Sequence, residues 1–146
     1  MVPMYQPIEK PIVSMTEGEF EEAFEACSLP KGSFHHQDHV RLAWIYLQKY
    51  PLTEAIDRYV AGIKRFATAN GAPDLYHETI TWTYLLLTHE RLHRIGKQHT
   101  WDDFSRSNAD LLDWGDSVLK SYYSDATLKS DLARKIFVLP DQQLPS

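Results

Sequence analysis

One cysteine, Cys27, is all that this chain of 146 residues carries. No disulfide can form within it, which suits a reducing compartment. Long apolar runs are missing as well: none approaches the roughly 20 residues that a membrane-spanning helix needs. There is no block of consecutive basic residues, and the net charge of −5 with a pI near 5.8 offers nothing to a phosphate backbone or an anionic lipid surface. Nucleic acid and membrane are therefore not expected as partners. The first residues show no basic stretch followed by an apolar one, so no secretory signal is expected and a cytoplasmic location is. Strand-like alternation of apolar and polar residues is absent, as are internal repeats. The six glycines form neither a phosphate-cradling loop nor a dinucleotide fingerprint, and no Ser-His-Asp elbow occurs.

What is present is a globular composition: 43% hydrophobic, 24% charged and 12% aromatic residues. This is enough for one domain with its own core. Residues 1–14, with Pro3, Pro7 and Pro11, are expected as an extended arm before a single helical domain over 15–146. Thr16 and Glu19 form a capping box that starts a first helix, with Phe20, Ala23, Phe24 and Cys27 on its apolar face. Ser33 is expected to cap a second helix over about 34–49 that ends before Pro51. Thr53 starts a third, whose stripe of Ile56, Tyr59, Val60, Ile63 and Phe66 runs to a stop at Asn70-Gly71. Pro73 is expected in the first turn of a fourth helix reaching Ile95, apolar almost all round and hence the central one. Thr100 and Asp103 open a further short helix, one or two more follow around Gly115, and residues 136–140 read as extended. The class is all-α, a compact bundle of about five to seven helices.

Histidines carry the chemistry. Residues 89–99 read H-E-x-x-H-x-x-G-x-x-H, similar to the zinc signature of the metzincin metalloproteases. That resemblance implies His89, His93 and His99 as metal ligands and Glu90 as general base on a bound water. The same family closes its site with a methionine turn after the motif, whereas the methionines here are Met1, Met4 and Met15. The chain before the motif also reads as helix rather than sheet. The spelling is accordingly expected to be a coincidence at a helix end, with a zinc-dependent hydrolase as the minor alternative.

A second set lies on two helix faces. His35, His39, Ala43, Tyr46 and Tyr50 share one side of the second helix, and His77, Thr81, Tyr84 and Thr88 one side of the fourth. With a single helix between them, these two run parallel in an up-down-up bundle, bringing His35, His39 and His77 together with Glu78 alongside. Such a pocket suits a divalent metal (zinc, iron, manganese or nickel), with Glu78 as a further ligand or a base. The alternatives are acid–base chemistry without metal, and histidines that only satisfy hydrogen bonds within a non-catalytic interaction module. His36 is placed at the rim. Trp44, on the polar side of its helix, is expected beneath the N-terminal arm, or else in a partner-binding patch. The sequence leaves open a small-molecule or protein partner and a homo-oligomer. The segments "FHHQDHVRLAW", "YHETITW" and "ARKIFVLPD" resemble those of a family of small, functionally uncharacterised, all-helical bacterial proteins, over about Phe34 to Asp141. The resemblance implies one intact domain containing His39, His77 and Glu78, and brings no activity with it.

Overall fold

A computed structural model of the chain describes residues 10–30, 32–94 and 100–142. Among these residues it is all-helical: α1 (Glu17–Glu25), α2 (His36–Lys49), α3 (Leu52–Ala69), α4 (Glu78–Arg94), α5 (Trp101–Ser107), α6 (Ala109–Leu112), α7 (Asp125–Leu128) and α8 (Asp131–Lys135), with short 3-10 turns at Ile12–Ser14, Pro73–Leu75 and Val118–Ser121. None of the described helices is long and apolar enough to cross a membrane.

Local signals account for most of the boundaries. Thr16 accepts from the Glu19 N–H while the Glu19 carboxylate accepts from the Thr16 N–H, the reciprocal box that starts α1. At the head of α5 the Thr100 hydroxyl accepts the Asp103 N–H, without the return bond. α3 ends as its sequence indicates: Gly71 takes a positive φ of 73°, its N–H reaches the Thr68 carbonyl, and the Ala72 N–H reaches the Ala67 carbonyl. α1 closes with the same arrangement at Cys27, which has a φ of 55° and lies past the helix end rather than on its apolar face. Its N–H bonds the Phe24 carbonyl, and the next N–H, of Ser28, bonds that of Ala23.

Two starts differ from expectation. His35, not Ser33, is the cap of α2, because the Asp38 carboxylate turns back to accept the His35 N–H at 2.9 Å. Pro73 opens a separate 3-10 turn, and α4 starts five residues later at Glu78. Of the expected N-terminal arm, residues 1–9 lie outside the described residues; the end of it is not extended, since Ile12 begins a 3-10 turn and is buried in the core. Residues 136–140 are non-helical and pass along α4, where Thr79 Oγ1 donates to the Ile136 carbonyl and accepts from the Val138 N–H.

The central helix is α2 and not α4. From Val40 to Tyr46 every residue of α2 is buried, and α2 packs on α1, α3, α4 and α6. Its polar side is covered because Arg41 is itself buried: Nη1 donates to the Ile12 carbonyl at 2.9 Å, Nη2 to the Met15 carbonyl at 2.7 Å, and the guanidinium lies over the Phe20 ring. Trp44 is also buried, its ring 5.9 Å from that of Trp101 on α5 rather than in an exposed patch. α4 hides its hydroxyls within the helix, as Thr83 and Thr88 donate to the carbonyls of Thr79 and Tyr84 four residues back.

Phe24, fully buried, is stacked 5.8 Å from Phe66 and tilted 5.6 Å from Phe34. Each such ring contributes roughly 1.5–3 kcal/mol by leaving water. It sits against Gly62 of α3, where an added Cβ would come within 2.6 Å of Phe24 Cε2. Alanine ordinarily stabilises a helix interior by about 1 kcal/mol relative to glycine. Here the ring has no room to retreat, so Gly62→Ala is expected to destabilise the protein by about 1–3 kcal/mol in urea unfolding. A gain in stability would show that the packing around Phe24 is looser than described.

Candidate functional site

The first turns of α2 and α4 line one cleft, with α3 between them forming its floor. This is the outcome of an up-down-up path: α3 carries the chain back, so α2 and α4 start at the same end. The cleft measures about 470 Å³. Tyr59 and Ile63 of α3 and Ile80 of α4 supply apolar wall, while His36, His39 and His77 bring three imidazoles to it.

Each imidazole is set differently. His77 caps α4 with its side chain: Nδ1 accepts the Ile80 N–H at 3.1 Å, and Nε2–H donates to the Leu128 carbonyl at 2.7 Å. Both nitrogens are thus occupied, and the bonding pattern requires the neutral ring protonated on Nε2. His36, at the first position of α2, donates from Nε2 to the Leu111 carbonyl at 2.8 Å and meets the ring of Tyr84 edge-on at 4.5 Å. His39 packs against Phe34, ring centres 4.2 Å apart, and neither ring nitrogen has a hydrogen-bond partner among the described residues, although Tyr59 holds its backbone carbonyl. Desolvation pushes all three below the usual imidazole range. His39 is held down to about 4, first by burial and then by the neighbouring His36. For His36 and His77 burial outweighs the Leu111 and Leu128 carbonyls, which act the other way.

The expected ligand set does not assemble. His39 and His77 reach the cleft, but His35 serves as the α2 cap and is not among the lining residues. Glu78 accepts a short hydrogen bond from the Tyr76 hydroxyl. Among the described residues no three His, Cys, Asp or Glu side chains are placed to hold a metal ion. In the protease-like segment His89 and His93 lie ring to ring at 4.6 Å near the end of α4, and Glu90 pairs with Arg94 at 3.4 Å. Gly96 and His99 lie outside the described residues.

Several lining residues escaped the sequence. His36 is a wall and not a rim because α2 begins one residue after His35, making 36 and 39 rather than 35 and 39 the pair that faces the cleft. An acidic residue three positions after His35 was the signal for that start. Tyr76, Leu75, Trp114 and Arg134 come from turns and from α8, segments without a periodicity that could have placed them. No family model, no curated protein and no solved structure matches the chain.

Burial of neutral His39 makes stability depend on pH. Its folded-state value lies below the ordinary 6.5, so as pH falls the unfolded chain takes the proton first. Stability is full above 6.5, falls towards about 4 and is flat below. The loss from this group is at most about 3 kcal/mol, since part of the ring meets the cleft. His36 and His77 act in the same direction. Urea unfolding near neutrality and near pH 5 is expected to show this loss, and His39→Gln to reduce it; an equal loss in the variant would contradict the assignment.

Proposed function

We propose that this protein is a small-molecule-binding helical domain whose ligand occupies the cleft between α2, α3 and α4. The observation that carries this reading is His39, an imidazole on the cleft wall whose nitrogens find no partner among the described residues. Its nitrogens are not sealed in the core, so a ligand entering the cleft would meet a hydrogen-bonding group that no described residue engages. The size of the cleft falls within the range of small-molecule sites, and its make-up of apolar walls with a few convergent polar groups has the same character.

In this reading the imidazoles work as neutral hydrogen-bonding groups. His77 and His36 are fixed by backbone carbonyls and shape the walls. His39 is free to donate from one nitrogen or accept at the other, which lets it orient a hydroxyl, carbonyl or amide of the ligand.

A fragment screen by protein-detected NMR tests the proposal. Hits are expected to shift signals of His36, His39, Thr81 and Tyr84 together, and Thr81→Trp, which fills the cleft, is expected to abolish them while the far-ultraviolet circular dichroism stays helical. Shift changes scattered over the surface, or hits indifferent to Thr81→Trp, would contradict it.

A further inference from the structure

The cleft has two chemically different ends. At one, the rings of His36, Tyr84 and Trp114 gather, with Trp114 5.0 Å from His36 and 6.3 Å from Tyr84. Trp114 is 54% exposed, so it presents aromatic surface that the described protein leaves uncovered. At the other end stands Arg134 of α8, close enough to His77 for its charge to be felt there. Its Nη1 donates to the Asp74 carbonyl at 2.7 Å. Among the described residues it meets no carboxylate, whereas Lys129 and Lys135, on either side in the chain, pair with Asp125 and Asp131 at 2.8 Å each. Leu75, 77% exposed, adds uncovered apolar surface at the cleft.

The charge balance narrows the ligand. Arg134 is the one permanently charged side chain among the described lining residues, and no carboxylate lines the cleft. Two long helices, α2 and α4, point their starts at it, adding partial positive charge. A cation would meet repulsion from Arg134 and from the helix starts, eased only at the aromatic end by Asp113. A doubly charged phosphate would bring more negative charge into an apolar cleft than one guanidinium balances. A single carboxylate matches a guanidinium in both charge and two-pronged geometry. Asp113 is felt at His36, which turns the acid group of a ligand away from the aromatic end.

We infer that the cleft takes an aromatic monocarboxylate, its ring against Trp114 and Tyr84 and its carboxylate on Arg134. The inference rests on the reading of the cleft as a ligand site. His39, on the wall between, supplies the hydrogen bond for a polar substituent on the ring or its side chain.

Benzoate, cinnamate and naphthoate, each beside its amide and its ammonium counterpart, test this by NMR titration of the full chain. The acids are expected to bind about threefold to fivefold more tightly than the amides, as a pair with an exposed guanidinium implies, and the ammonium compounds more weakly than either. Arg134→Gln is expected to lower each acid to the affinity of its amide, Arg134→Lys to restore part of the difference, and Trp114→Ala to weaken acids and amides alike. Amides or ammonium compounds binding as well as the acids, or an acid preference that survives Arg134→Gln, would overturn the inference and leave the cleft as a ligand site. Failure of every probe to bind would also overturn the inference, and the cleft reading itself would fall only if the fragment screen gave no hit there.

Discussion

A guanidinium cannot be buried without acceptors, and Arg41 is buried. The acceptors it finds are the carbonyls of Ile12 and Met15, so the chain before α1 is drawn down over the side of α2 that carries its charge. With α1 and the turn at Ile12–Ser14 on that side, Trp101 over Trp44, and α3 and α4 on the apolar side, α2 is enclosed from Val40 to Tyr46. Removing such a charge's acceptors would leave it uncompensated, a far larger cost than the net worth of the bonds themselves. α2 opens at both ends: at Gln48 and Lys49, which are exposed, and at its first turn, where His36 and His39 face the cleft. The site lies at one of the two places where the wrapping of the central helix stops.

The two helix starts at the cleft show how one residue type can do structural and chemical work at once. His77 satisfies an otherwise open N–H of the first turn of α4 and a carbonyl of α7 with the same ring. This holds its tautomer, occupies both ring nitrogens and fixes the neighbouring wall. His39 has neither constraint. Desolvation keeps it neutral, and neutrality is what allows an imidazole to donate and accept in an apolar wall.

The helical class, the caps at Thr16 and Thr100 and the stop at Gly71 were legible because each depends on residues within one turn. The meeting of α2 and α4 starts was legible too, from a single intervening helix. What was not legible depended on distant chain. Arg41 reads as a solvent residue in a sequence window, since its partners lie 26 and 29 residues away. The apolar make-up of α4 pointed to the wrong central helix for a related reason: the segments that cover the polar side of α2 are distant in the chain. α2 starts two residues later than expected, which makes His35 the cap and leaves His36 at the cleft, and the long-range contributors Trp114 and Arg134 had no local signature.

In the proposed reading the cleft's histidines are neutral hydrogen-bonding groups rather than metal ligands. Long-range nitrogen–proton NMR spectra of the imidazoles of the full chain at neutral pH read this directly, residue by residue. Three neutral rings are expected, with His36 and His77 both protonated on Nε2. A protonated ring at His39, or nitrogen shifts at His39 and His77 that move together when a divalent metal is added, would contradict it.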